Sequence, residues 1–209
     1  MENRQRLFLG SARLGALPEW MASGPDPVRR AVLIPTAANP LPEAPWVDAT
    51  ERLLTGEGIQ VDRLDLEQAE ADDVRRALEP ADLVFVAGGY PLFLLDHVNR
   101  TGFDRHVPPA VRSGRLAYVG ISAGAALAAP DLSYFRLPDA AIDPGDPGVT
   151  ESTVGLALAP FLVMAHRNNG RAERQDRQIA EYGADNYVSI NDDQAVVFTG
   201  DNWQIIHSH

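Results

Sequence analysis

Ser122 stands in Gly120-Ile121-Ser122-Ala123-Gly124, where the strand-forming run "LAYVGIS" (Leu116–Ser122) gives way to the alanine-rich "AGAALAA". A G-x-S-x-G corner between strand and helix lifts the hydroxyl to the rim of a sheet and turns the next N–H groups outward at a helix N-terminus. Access and oxyanion donors are two of the three things a serine nucleophile needs; the third is a base. The same text also fits a serine that caps the helix, and the motif alone leaves both readings open. A second glycine turn, Gly88-Gly89 in "VFVAGGYP", closes a neighbouring strand and can aim an N–H at the same place. No G-x-G-x-x-G follows, so dinucleotide binding is weakly supported. Of five histidines, His97 and His106 lie in helical or loop text beside Asp96 and Arg105, and His207 and His209 end the chain. His166 closes the apolar run "FLVMAH" and should emerge at a strand's C-terminal end on the same rim, which makes it the candidate base.

Composition narrows the chemistry. All 18 basic residues are arginine and there is no cysteine. Schiff-base chemistry, a Walker-type phosphate lysine, a thiolate nucleophile, disulfides and cysteine metal sites are thereby excluded. The formal charge of −11 argues against a general nucleic-acid binder, which needs a concentrated positive surface. A few arginines in a cleft would still admit an anionic substrate. The N-terminus has no long apolar segment of the signal-peptide kind, and no run approaches the ~20 apolar residues of a membrane helix. The expectation is a soluble, cytoplasmic protein that needs neither metal nor organic cofactor.

The elements that must position these residues alternate along 209 residues, enough for one sizeable core. Strands are expected at Arg6–Ala12, Arg29–Ala37, Ile59–Leu66, Asp82–Gly89 and Leu116–Ser122. Helices are expected at Val47–Gly58, Glu70–Pro80 and from Pro91 onward, where proline in the first turn loses no hydrogen bond. This order predicts an α/β fold, a three-layer sandwich with a mostly parallel central sheet. The Pro-, Gly- and Asp-rich segment Asp131–Thr153 breaks the rhythm and reads as a functional loop. A polar helix over Arg171–Tyr182 follows, and then "NYVSI", "QAVVFTG" and "WQIIH", three short strands that suggest an antiparallel C-terminal edge.

Three segments together resemble the serine peptidases of the aspartyl dipeptidase and cyanophycinase family, whose fold is like that of class I glutamine amidotransferases. They are "VAGGYPLFLL" (Val86–Leu95), "GISAG", and "MAH" followed by "RQDRQI" (Arg174–Ile179). Order and approximate spacing agree over most of the chain, implying one domain across residues 1–209. The resemblance implies that Ser122 attacks the carbonyl, His166 takes its proton, and the Gly89 and Ala123 N–H groups form the oxyanion hole. It places an acidic third member in the loop between serine and histidine, where Asp139 fits best and Asp143 and Asp131 are rivals. Arg174 matches the family's helix arginine, suited to a bidentate grip on a substrate carboxylate; Arg171 and Arg177 read as solvated. The family's Asn-Thr after the glycines is Tyr90-Pro91 here, so Tyr90 falls on the substrate side, and the resemblance leaves open whether an aspartyl dipeptide is the substrate.

The reading is a serine hydrolase cleaving a small peptide or amide through an acyl-enzyme, with no nucleic-acid or membrane partner. Two alternatives remain. In an α/β-hydrolase esterase the base comes late, so His207 would serve with Asp192 or Asp193. In a catalytically silent relative, the glycine rim would hold a small ligand.

Overall fold

Four apolar runs become neighbouring parallel strands whose residues alternate between two buried faces, and a fifth, more polar run, Gln60–Arg63, closes the edge of the sheet with none of its residues buried. The computed structural model describes residues 3–137 and 145–209. In chain order the main-sheet strands are β1 (Arg6–Gly10), β2 (Arg30–Ile34), β3 (Gln60–Arg63), β4 (Leu83–Val86) and β5 (Ala117–Ile121). Two further strands, β6 (Leu162–Met164) and β7 (Tyr187–Ser189), pair with each other in parallel, and β8 (Gln194–Thr199) and β9 (Asn202–His207) complete the main sheet. Its order is β3-β2-β4-β5-β1-β8-β9, parallel as far as β1 and antiparallel across β8 and β9. Leu7, Leu9, Val32, Ile34, Val84, Val86 and Tyr118 face one core, while Phe8, Ala31, Leu33, Leu83, Phe85, Ala117 and Val119 face the other. Burial on both sides accounts for the near-continuous apolar text of these strands.

The helices divide accordingly. α1 (Leu17–Ala22) and α2 (Pro45–Gly56) cover the second face through Leu17, Trp20, Val47 and Leu54. α3 (Ala71–Leu78), α4 (Pro91–Thr101), α5 (Phe103–Arg112) and the short α6 (Ala123–Leu127) cover the first. The three-layer sandwich is the expected architecture. No helix among the described residues is long and apolar enough to cross a membrane.

One expected edge strand belongs elsewhere. "NYVSI" does not join the antiparallel edge; as β7 it lies parallel to β6, with Ile190 N–H bonded to Met164 O at 3.0 Å. The cause is α7 (Ala172–Tyr182), which carries the chain back across the layer so that β6, α7 and β7 form a crossover unit. A helical crossover returns a strand in the same direction, whereas a tight turn reverses it. Only β8 and β9 make the antiparallel margin.

Candidate active site

The corner at Ser122 is fixed by its glycines and one buried tyrosine. β5 ends at Ile121 and α6 begins at Ala123, leaving Ser122 at φ 52°, ψ −106°, a conformation that non-glycine residues rarely hold. A Cβ on Gly120 would lie 2.3 Å from Gly124 O, and one on Gly124 would lie 2.2 Å from Val86 O, so only hydrogen fits on either side of the serine. The fully buried Tyr118 donates its hydroxyl to Gly124 O at 2.7 Å. Burial pushes that phenol far up, so it stays a proton donor. Ser122 N–H is held by Gly10 O at 2.9 Å, but its hydroxyl makes no cap bond to α6. The hydroxyl instead lies 2.9 Å from His166 Nε2.

His166 follows β6 and is likewise twisted into the left-handed region, at φ 64°. Ser11, at the end of β1 and fully buried, holds it there by accepting its backbone N–H at 2.8 Å. The ring's other nitrogen, Nδ1, lies 2.6 Å from Asp192 Oδ1, and the Ser11 hydroxyl donates to the same carboxylate oxygen at 3.1 Å. Asn168 fixes Asp192 in turn by accepting its backbone N–H at 2.9 Å. A carboxylate accepts only, so Nδ1 carries the ring proton and Nε2 is left to accept from Ser122. The result is a continuous chain from Asp192 through His166 to Ser122.

Asp139 and Asp143 lie outside the described residues. Asp131 is engaged away from the imidazole, accepting from Ser133 N–H and the Thr153 hydroxyl, each at 2.7 Å. The carboxylate on the histidine ring is one that sequence reasoning considered only as a companion to His207. His207 itself is on β9, its Nδ1 3.7 Å from Asp193 Oδ2. What could have singled out Asp192 is topology: it precedes β8, which runs antiparallel to β1, so the start of β8 comes to the rim where β1 ends. Arg13 N–H bonds to Asp192 O at 3.0 Å and Ser11 N–H to Gln194 O at 3.1 Å, stitching the two rims together.

Gly89 and Ala123 both line the cavity beside Ser122, and among the described residues neither donates its N–H to a protein acceptor. Gly89 has φ 152°, and a Cβ there would lie 2.0 Å from Ala37 O, so the turn admits no side chain. Gly88 packs against the serine, a Cβ on it reaching 3.2 Å from Ser122 Cβ. Tyr90 does not line the cavity; its hydroxyl lies 3.2 Å from where a Cβ on Gly145 would be.

Immediately before α7, Arg171 lines the cavity directly. Arg174 sits one turn on, its Nε and Nη2 buried beside the Tyr134 hydroxyl. Tyr134 lines the cavity beside Arg174; burial pushes its phenol up, against the downward pull of the charge and hydrogen bond of Arg174 and the charge of Arg171. The cavity measures about 600 Å³ and is lined from Ser122 and His166 to α2 on one side and α7 on the other. That volume falls within the usual range for small-molecule sites.

Residues 14–206 match peptidase family S51. An uncharacterized peptidase of Listeria monocytogenes is 27% identical over 180 residues, covering 82% of this chain and 83% of its own. Peptidase E of Streptomyces coelicolor is 32% identical over 129 residues, 58% of this chain and 49% of that protein, about half its length. A crystal structure of a candidate peptidase E protein from Listeria monocytogenes superposes with a TM-score of 0.83 at 25% identity, covering 97% of this chain and 98% of the other.

Proposed function

The chain belongs to peptidase family S51, and on that footing we propose that it is a serine-type hydrolase that cleaves a small peptide or amide through an acyl-enzyme at Ser122. The observation that carries the reading is the hydrogen-bonded chain Asp192–His166–Ser122, at 2.6 Å and 2.9 Å. Ser122 Oγ attacks the scissile carbonyl as its proton passes to His166 Nε2. The oxyanion is received by the N–H groups of Gly89 and Ala123, which among the described residues have no other acceptor to give up. Protonated His166 then delivers that proton to the departing amine, and Asp192 stabilises the imidazolium while it exists. A water molecule, deprotonated by the same nitrogen, releases the acyl group and restores the serine.

At the α7 end, Arg171 and Arg174 give the cavity a positive field, which favours a substrate carboxylate there. The planar guanidinium of Arg171, which lines the cavity, suits a bidentate grip on such a carboxylate, with Arg174 adding charge beside Tyr134. The test is labelling with a fluorophosphonate probe: the protein should label, Ser122→Ala should not, and His166→Ala should label far more slowly. Labelling that survives Ser122→Ala would remove the nucleophile from this reading.

A further inference from the structure

The opposite arm of the cavity has a different chemistry. Trp46, Ala49, Thr50 and Leu53 follow the i, i+3, i+4, i+7 spacing and present one stripe of α2 to the cavity. The buried stripe of the same helix, Val47, Thr50 and Leu54, shares Thr50 with it, and Val47 and Leu54 lie in the core beneath, with Leu53 packed partly against that core. Trp46 and Ala49 take no part in that core, and Trp46 stays 41% exposed. Its indole N–H donates to Gly88 O at 3.2 Å, which stands the ring beside the turn that carries Gly89. Leu14, Leu41, Phe85, Ala87 and Ile121 close the arm. The charged residues Asp48 and Glu51 of α2 turn instead to Arg63 on β3.

A second observation concerns charge. Asp146 also lines the cavity, and its carboxylate sits on the first turn of α4, accepting from Leu92 N–H at 2.9 Å and Phe93 N–H at 3.0 Å. It accepts Gly148 N–H at 2.9 Å as well. The helix end following the Gly88-Gly89 turn, which would attract an anion, is thus occupied by the chain's own carboxylate. An acidic substrate side chain in this arm would lose its hydration, meet no cation of α2, and approach a fixed negative charge.

We infer that the site takes a bulky apolar side chain against α2, on one of the two residues flanking the scissile bond, in preference to an aspartyl one. The inference rests on the peptidase reading above and names the substrate class of that site. An apolar residue displaces water from Trp46 and Leu53 without leaving any polar group unpaired. Together with the arginines at the start of α7, this describes a short peptide with an apolar residue at the scissile bond and a carboxylate beyond it.

The test is a panel of Leu-Gly, Phe-Gly, Asp-Gly, Gly-Leu, Gly-Phe and Gly-Asp. In one of the two positions, kcat/KM for Leu or Phe should exceed that for Asp by about tenfold or more. Leu53→Asp should reduce that ratio by about tenfold, and Ala49→Phe, which fills the arm from an exposed position and tests the point should Leu53→Asp fold poorly, should do the same. Hydrolysis that depends on Ser122 but prefers Asp in both positions, or a ratio unmoved by both variants, would overturn the inference and leave the peptidase reading standing. Calorimetric binding of the same dipeptides to Ser122→Ala reads the arm without turnover. Apolar preference there, with no Ser122-dependent cleavage of any dipeptide, would uphold the arm and sink the peptidase reading.

Discussion

Replacing Asp192 by asparagine tests the assignment of the carboxylate that supports His166. The substitution keeps the side chain's size and one oxygen for Ser11, but removes the negative charge 2.6 Å from Nδ1. In the transition state the imidazole is a cation, and its charge centre lies about 4 Å from that of the carboxylate. Such a pair is worth ~1 kcal/mol in water and ~4 kcal/mol at an effective dielectric of about 20. With the side chains of His166 and Asp192 only 19% and 29% exposed, the second figure is the nearer guide, giving about 3 kcal/mol. At 1.36 kcal/mol per tenfold, that is a loss of roughly a hundredfold or more in acylation rate. An asparagine that turns its amide toward Nδ1 would reverse the ring's proton and deepen the loss toward about 10⁴-fold. The assay is the second-order rate of fluorophosphonate labelling, which isolates attack by Ser122 from substrate binding. A change of less than about threefold in a folded Asp192→Asn would refute the reasoning. Asp139→Asn, run beside it, discriminates the source of the carboxylate: loss there with Asp192→Asn silent would return the role to the loop between serine and histidine.

Three further outcomes are expected. Tyr118→Phe leaves Gly124 O without its donor in a fully buried place and should cost about 1–3 kcal/mol in urea unfolding, with slower probe labelling of Ser122. Ser11→Ala removes both the acceptor of His166 N–H and a donor to Asp192; labelling should slow by about tenfold, and unfolding stability should fall by about 1–3 kcal/mol. For Asp131, burial raises the carboxyl, but the hydrogen bonds from Ser133 and Thr153 outweigh it and hold the group below its ordinary value. A folded value below the unfolded one stabilises the protein above the unfolded pKa and is lost as pH falls through the folded one. Asp131→Asn should therefore be less stable than the parent at neutral pH, and the difference should close as unfolding is measured below about pH 4.

Much of this architecture is legible in the text because buried parallel strands have a distinctive composition. "DLVFVAGG" and "LAYVGIS" are apolar on both faces, and each ends in small residues where the chain must turn sharply. Ser122 and His166 each close an apolar run, and parallel strands bring Ser122 and Ser11 to one rim, but β6 pairs with β7 outside the main sheet, so His166 meets that rim through its backbone bond to Ser11. "NYVSI" is not assignable in the same way, because its pairing depends on whether α7 crosses the layer, and no local pattern encodes that. The α2 stripe is visible as spacing in "WVDATERL", yet spacing cannot tell a stripe that packs on the sheet from one that faces a cavity. "SINDDQ" carries only the signature of a turn, and the turn reading is right; what the text lacks is the fact that the turn abuts β1.

That last point bears on how the site is held. Ser11 follows β1 and Ser122 follows β5 on one rim of the main sheet, and His166, after β6 of the smaller sheet, is tied to that rim by its N–H to Ser11. Asp192 reaches the same rim from the opposite direction, because β8 is antiparallel to β1 and its first residues face β1's last. Its position is set by ladder hydrogen bonds from Ser11 and Arg13 on one side and by Asn168, two residues after His166, on the other. A carboxylate carried this way is fixed by the sheet, not by the length of the loop between Asp131 and Thr153. That loop is then free to vary without disturbing the serine–histidine pair, and through Asp146 it meets the cavity from the side of α4. On the proposed reading, two tasks fall to different elements: strand ends hold Ser11, Ser122 and His166, while α2, α4 and the start of α7 line the cavity where substrate would be chosen. Variants of Asp192 and Ser11 should accordingly lower rates for every substrate alike, whereas variants of Leu53 and Ala49 should change the ratio between substrates.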